Sequence, residues 1–262
     1  MEEKKKVIFA GAAGICLIGL LVIIYFLFLA EKPSVPPVDL SAQDALSETV
    51  GGSDEGALKS GPVEPLDIRL EGSDSAVRDL IRGLSADPVF AQWILGKDLI
   101  LRFTAAVDNI AQGSSPRPHI DFFKVEKEFA VEWKNGAASI DPSNFSRYDV
   151  AVDVFSSLDV EDAAILFRRM MPVFQEAYAE LGYPNKDFEQ TLMKAVDELL
   201  KVPIPPDKVE VERDVITYTY KDPDLEKLSE AQKHLLRMGP DNIRIIQAKL
   251  KKLAAALWSI DN

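Results

Sequence analysis

FAVEWKNGAASI, Phe129 to Ile140, is the stretch on which the fold class turns. Phe129, Val131 and Trp133 alternate with Ala130, Glu132 and Lys134, the two-residue period of a strand with one face turned inward. Asn135-Gly136 then supplies two residues that tolerate positive φ, and Ala137 to Ile140 runs back, so the stretch predicts a tight β-hairpin. Lys208 to Tyr220 alternates in the same way through Val209, Val211, Val215, Tyr218 and Tyr220, predicting one or two further strands. Nearly everything around these segments has helical spacing. The expected fold is therefore α+β and mainly α: a helical domain with a small antiparallel sheet.

Ahead of the hairpin, Ser73 or Asp74 is placed to cap a helix carrying Val77, Leu80, Ile81 and Leu84 on one face. Asp87-Pro88 opens a second with Phe90, Trp93, Ile94 and Leu95, and a third runs from about Lys97 to Ala111 with an apolar stripe from Leu99 to Ile110. After the hairpin come helices around Asn144 to Ser157, Val160 to Leu181 and Asp187 to Lys201, with Pro172 expected to kink or split the second. The VPIPP run, Val202 to Pro206, is a short rigid connector rather than a linker between domains.

At the C-terminal end, HLLRMGPDNIRIIQAKL from His234 to Leu250 has the outline of a helix-turn-helix. Gly239 suits a left-handed helix end and Pro240 a first helical position. Ile243, Ile246, Leu250, Leu253, Leu257 and Ile260 then recur at spacings of three and four, the seam of a helix packed on its own domain. Ser229 to Asn262 carries six basic residues against three acids, in a chain whose net charge is −12. That is a poor footprint for recruiting phosphates, so no nucleic-acid partner is expected and the segment reads as a packed helical hairpin.

The other end sets the expected location. Val7 to Leu29 is 23 residues without a charge. As a helix it reaches about 35 Å, enough to cross a hydrocarbon core of about 30 Å with some tilt. The apolar run is too long for a cleaved signal peptide, and Ile15 is too bulky for a lipoprotein cleavage box before Cys16. Ala10 and Gly14 leave dimerisation through the span open. Lys4, Lys5 and Lys6 precede the block, whereas Glu31 to Asp67 holds eight acids and two lysines, an asymmetry that keeps the N-terminus in the cytoplasm. The expected organisation is a cytoplasmic tail (1–6), a transmembrane helix (7–30), an acidic Pro/Gly-rich tether (31–68) and a periplasmic domain (69–262) of a bacterial inner-membrane protein. The chain's one cysteine, Cys16, falls in the span, so the domain depends on core packing rather than disulfides.

Four stretches carry a resemblance: VDNIAQG (Val107 to Gly113), DPSNFSRYDVAVDVFSSLD (Asp141 to Asp159), EAYAELGYP (Glu176 to Pro184) and LLRMGPDNIRIIQAKL (Leu235 to Leu250). The set resembles an uncharacterised family of bacterial proteins, a domain of unknown function behind a single N-terminal span in Gram-negative bacteria. The resemblance runs from about Leu66 to Leu253 and implies an envelope protein, but supplies no catalytic residues.

Little in the chain points to chemistry. His119 and His234 lack partners in metal-ligand spacing, there is no thiol outside the span, and neither a phosphate-binding glycine loop nor a nucleophile-elbow serine is present. No metal or cofactor is expected, and no catalytic residue can be assigned. Asp108, Asp141, Asp149, Asp153 and Asp241 leave open a carboxylate-dependent hydrolase acting on cell-wall glycan, although Asp141 and Asp241 stand where helix caps stand. The more informative group is mixed and polar: Asp108, Asn109, Arg147, Tyr148, Asp149, Arg237, Asp241, Asn242, Arg244 and Gln247. Its two readings are a network that docks helices and a polar groove for an envelope-protein or cell-wall partner. The leading expectation is a membrane-anchored interaction or scaffolding module without enzymatic activity.

Overall fold

A computed structural model describes residues 64–116, 129–206, 208–214 and 217–260, and the side chains of 258–260 are not part of that description. The expected span, Cys16, nearly all of the tether, His119, Val215 and the side chain of Ile260 lie outside the described residues. No helix among the described residues is long and apolar enough to cross a membrane.

The fold is mainly helical with one small antiparallel sheet. In chain order come α1 (Asp74–Ile81), α2 (Pro88–Trp93), α3 (Leu99–Ala111), β1 (Val131–Lys134), β2 (Ala137–Ile140), α4 (Asp149–Ser157), α5 (Val160–Glu180), α6 (Phe188–Leu200), β3 (Glu210–Arg213), β4 (Tyr218–Tyr220), α7 (Pro223–Glu226), α8 (Glu230–Leu236) and α9 (Pro240–Ile260). Short 3₁₀ turns follow α1 and precede α4.

The hairpin forms as its sequence predicts, with Asn135 at φ 52° and Gly136 at φ 80° between paired strands. The strand order is β1-β2-β3-β4, all antiparallel, and Trp133, Ala138, Val211 and Tyr220 stand in one row across the sheet. Ala138 and Val211 on that face are buried, whereas Trp133 at the outer strand is 62% exposed.

The helical layer is built around α3, which packs on α5 and α6; α9 lies on α4 and α5. Phe103 of α3 meets Phe174 and Phe188 edge-on at 5.6 and 6.0 Å between ring centres, and Phe174 stacks on Phe167. Such pairs bury large apolar area and hold a defined geometry. Ile243, Ile246, Leu250, Leu253 and Leu257 of α9 are all buried, so the three-four seam faces the domain.

Of the two outcomes expected at Pro172, a kink or a split, the split does not occur: α5 runs through it as one 21-residue helix. Neither Ser73 nor Asp74 caps α1 with its side chain; the Asp74 carboxylate instead accepts from the N–H groups of Asp98 (2.8 Å) and Leu99 (2.9 Å), capping α3 from a different helix. Asp87, where the second helix was expected to open, accepts from the Val89 N–H; Asp187 accepts from the Glu189 N–H at the start of α6, and Ser229 forms a capping box on α8. The chain already packs before the expected boundary at 69: Leu66 donates its N–H to the Arg169 carbonyl, and Leu66 and Ile68 rest on the core.

Candidate functional site

The four sequence stretches that carry the family resemblance meet in pairs. In the first pair, Gly239 breaks the chain between α8 and α9 at φ 89°. A Cβ there would lie 2.5 Å from the Phe145 ring, so a side chain is barred by conformation and by space. That close approach seats Asn242 against the start of α4: its amide donates to the Asp149 carboxylate (3.0 Å), the Met238 carbonyl (3.0 Å) and, more weakly, the Phe145 carbonyl (3.4 Å). Asn242 is buried, and it ties two segments 93 residues apart.

The turn before α4 is held by Asn144, which the sequence reading passed over. Its side-chain oxygen accepts the Ala130 N–H at 3.0 Å and its amide donates to the Ala130 carbonyl at 2.7 Å, so it pairs with backbone as a strand neighbour would. Arg147 donates back to Asn144 at its backbone and side-chain oxygens (2.8 and 2.5 Å), and its guanidinium lies 5.7 Å from the Tyr148 ring centre. Asp141 accepts from the Ser143 N–H as the expected cap, and that bond holds its carboxyl below the ordinary carboxylate range.

The second pair is buried in the helical layer. The Tyr178 hydroxyl of α5 donates to the Asp108 carboxylate of α3 at 3.1 Å and accepts from the Thr191 hydroxyl of α6 at 3.0 Å. The Gln112 amide donates to the other Asp108 oxygen at 2.5 Å and to the Tyr183 hydroxyl at 3.3 Å. Asp108 and Thr191 are 8% and 7% exposed, so this network sits where an unmatched polar group would be costly. Burial pushes the Tyr178 hydroxyl up to about 12, a proton held firmly for donation.

A third cluster lies beside the sheet. The His234 Nε2 is 2.8 Å from the Ser115 hydroxyl, and its Nδ1 faces an Arg237 N–H at 3.4 Å. A guanidinium only donates, which assigns the lone pair to Nδ1 and the ring proton to Nε2. His234 therefore donates to Ser115, the reverse of a base that activates a serine nucleophile. The Arg237 guanidinium lies near enough to the Tyr220 hydroxyl to favour its ionised form. Burial raises Tyr220 above the ordinary tyrosine range. Glu226 spends one oxygen on Lys233 Nζ (2.7 Å) and the other on the Tyr220 N–H (2.8 Å), and these bonds hold its carboxyl low.

The remaining candidates serve helix ends. Gln247 turns its amide onto the carbonyls of Leu199, Leu200 and Val202, closing the end of α6. Arg244 pairs with Asp241 one turn away on the exposed face of α9.

The ten sequence candidates thus do not form one site. Asp149 and Asn242 come together, with Arg147 and Tyr148 on the adjoining turn. Asn109 donates to the Ser115 carbonyl and so reaches the Arg237 cluster through Ser115 and His234. Asp108 belongs to the helical network, and Asp241, Arg244 and Gln247 stand elsewhere on α9. Ser115, Asn144, Tyr178, Thr191, Tyr220, Glu226 and His234 were not on the sequence's candidate set. Some partners lie far along the chain, 119 residues for Ser115 and His234 and 70 for Tyr178 and Asp108, while those of Asn144 and Glu226 are close by but fit no cap or hairpin pattern. No group of three or more histidine, cysteine or acidic side chains capable of holding a metal occurs among the described residues.

A family model described as a protein of unknown function, DUF3014, matches residues 99–254, from the start of α3 into α9. No curated protein and no solved structure matches the chain.

Proposed function

The chain belongs to the DUF3014 family, whose function is unknown, and from its own residues we propose that it is a single-pass bacterial inner-membrane protein presenting an interaction domain in the periplasm. The observation that carries this reading is the 23-residue uncharged block Val7 to Leu29, preceded by three lysines and followed by an acidic, Pro/Gly-rich stretch. The domain supports the interaction half of the reading. Four of the five acids open to a catalytic role are engaged by the fold: Asp108 by Tyr178 and Gln112, Asp149 by Asn242, Asp141 by Ser143 and Asp241 by Arg244; the fifth, Asp153, is exposed on α4. A module that binds rather than turns over substrate needs a rigid helical frame and an accessible polar surface, and the residues beside the sheet supply one.

The topology is tested with a periplasm-dependent reporter fused after Asn262. Reporter activity and retention of the chain in membranes washed at high pH are expected; a cytoplasmic signal overturns the orientation. The interaction role is tested by crosslinking the full-length chain in intact cells, where a discrete adduct through residues 64–260 is expected. A chain that never forms one loses the interaction reading.

A further inference from the structure

We infer that the outer edge of β1 is a self-association surface, on which two copies of this chain pair their β1 strands antiparallel about a two-fold axis through Trp133. The inference names a second copy as a partner of the interaction domain and rests on that reading.

The sheet treats its two outer strands differently. On β4, the Tyr220 N–H is taken by the Glu226 carboxylate at 2.8 Å, and α7, which carries Glu226, packs on the strand. On β1, the Ala130 carbonyl accepts the Asp141 N–H at 3.2 Å, so Ala130, Glu132 and Lys134 turn their backbone groups to β2. Val131 and Trp133 therefore turn theirs to the open side, and no strand among the described residues pairs with them there. An edge left unpaired and uncovered is a template for another strand.

The side chains select that strand and its register. Glu132, Trp133 and Lys134 are all exposed, Trp133 at the open end of a row whose middle members Ala138 and Val211 are buried. Setting Trp133 opposite its own copy lets the two residues exchange N–H and C=O bonds, and it lays the two indole rings on one face in continuation of that row. The same register places Glu132 opposite Lys134 of the second copy, twice over, at the spacing where opposite charges across strands attract. Moving the axis one residue either way sets Glu132 against Glu132 or Lys134 against Lys134. The edge is thus its own complement in charge. A strand of four residues gives much less than a standard interface, so pairing draws on the local concentration that anchoring in one membrane provides.

The test reconstitutes full-length chains, carrying a donor or an acceptor dye after Asn262, in phosphatidylcholine vesicles at low surface density and reads energy transfer. Transfer above that of randomly placed chains is expected. Glu132→Lys alone and Lys134→Glu alone should each weaken association about tenfold, because two attractive pairs become repulsive. The two exchanges in one chain should restore it, and so should mixing the Glu132→Lys chain with the Lys134→Glu chain, since every Lys then meets a Glu. Trp133→Ser should weaken association as well. These side chains are exposed, and unchanged urea midpoints check that the variants fold. The inference is overturned if the parent shows no excess transfer, if the single exchanges associate like the parent, or if the mixture fails to associate where the parent does. Association through the span alone would give equal transfer in every chain and overturns it too. A chain that fails this test yet is crosslinked in cells to a different protein loses the self-association surface and keeps the interaction role.

Discussion

Two polar regions of this domain are assembled from the same kinds of side chain and end in opposite states. The Asp108 network in the helical layer links three helices, is nearly sealed from water, and gives each oxygen of the Asp108 carboxylate a donor. The Arg237 cluster beside the sheet joins Ser115, just past α3, to β4, α7 and α8 and is half-open, with Arg237 and Lys233 balanced by Glu226 and Glu230. A buried, satisfied network contributes to stability and specificity of packing, whereas a half-open one can replace a lost partner with water. The contrast predicts that substitutions in the first region unfold the protein and those in the second do not.

The largest effect is expected from Asp108→Ala. It removes the acceptor of Tyr178 and Gln112 and opens a small void, for a loss of about 2–4 kcal/mol, read as a lower urea midpoint at unchanged slope. Asp108→Asn sharpens the point. Its carbonyl can still accept from Tyr178, and Gln112, being exposed, can turn its amide, so the loss should fall to about 1–2 kcal/mol. A midpoint unchanged by Asp108→Ala breaks the comparison from its buried side.

Next in size is Gly239→Ala, at the junction on which the α8–α9 hairpin docks. The added methyl meets the Phe145 ring and the left-handed φ is unfavourable, together about 2–3 kcal/mol. Phe145→Ala in the same chain relieves the clash but not the backbone, so the double variant should lose less than the two single losses added together.

How much of this was legible beforehand follows from sequence distance. The hairpin was legible because Asn135-Gly136 and the alternation beside it are local, and so was the start of α2 at Asp87-Pro88, where the aspartate accepts from the Val89 N–H two residues on. Asp74 caps a helix that starts 25 residues later, Gln247 closes one that ended at Leu200, and Lys249 donates to the Ser156 and Leu158 carbonyls at the end of α4. In each case the side chain is chosen by a helix end brought to it by packing, and nothing local distinguishes such a residue from a solvated one. The same holds for the site. Asp149 and Asn242 stood out as polar residues next to turns, but Tyr178 and Thr191 look like ordinary members of amphipathic helices until α3 is laid against α5 and α6.

A third test uses pH. Tyr178 is raised to about 12 from its ordinary 10, so its protonated form is favoured by folding. That contribution is fully present below pH 10 and is lost as the pH climbs towards 12. Tyr178→Phe should cost about 1–2 kcal/mol at neutral pH, because Asp108 and Thr191 each lose a partner, and should flatten the part of the alkaline decline that the hydroxyl causes. Urea midpoints at pH 8, 10 and 11 for both chains measure it; parallel declines would show that the hydroxyl is not the group responsible.

The smallest effect on stability is expected at Arg237. Replacing it with Gln takes away a long contact to His234 and a favourable charge near Glu226, but it also removes a half-desolvated cation, and the two changes oppose each other. The net loss should stay below about 1 kcal/mol, a shift in unfolding temperature of a few degrees or less for a domain of this size. The sign carries more than the size. If the guanidinium served only to dock α8 against the sheet, its removal would cost as much as Asp108→Ala, since both would then break a closed network. A near-neutral result, alongside a large loss at Asp108, is what separates a half-exposed cation whose partners water can replace from a buried acid whose donors have no substitute.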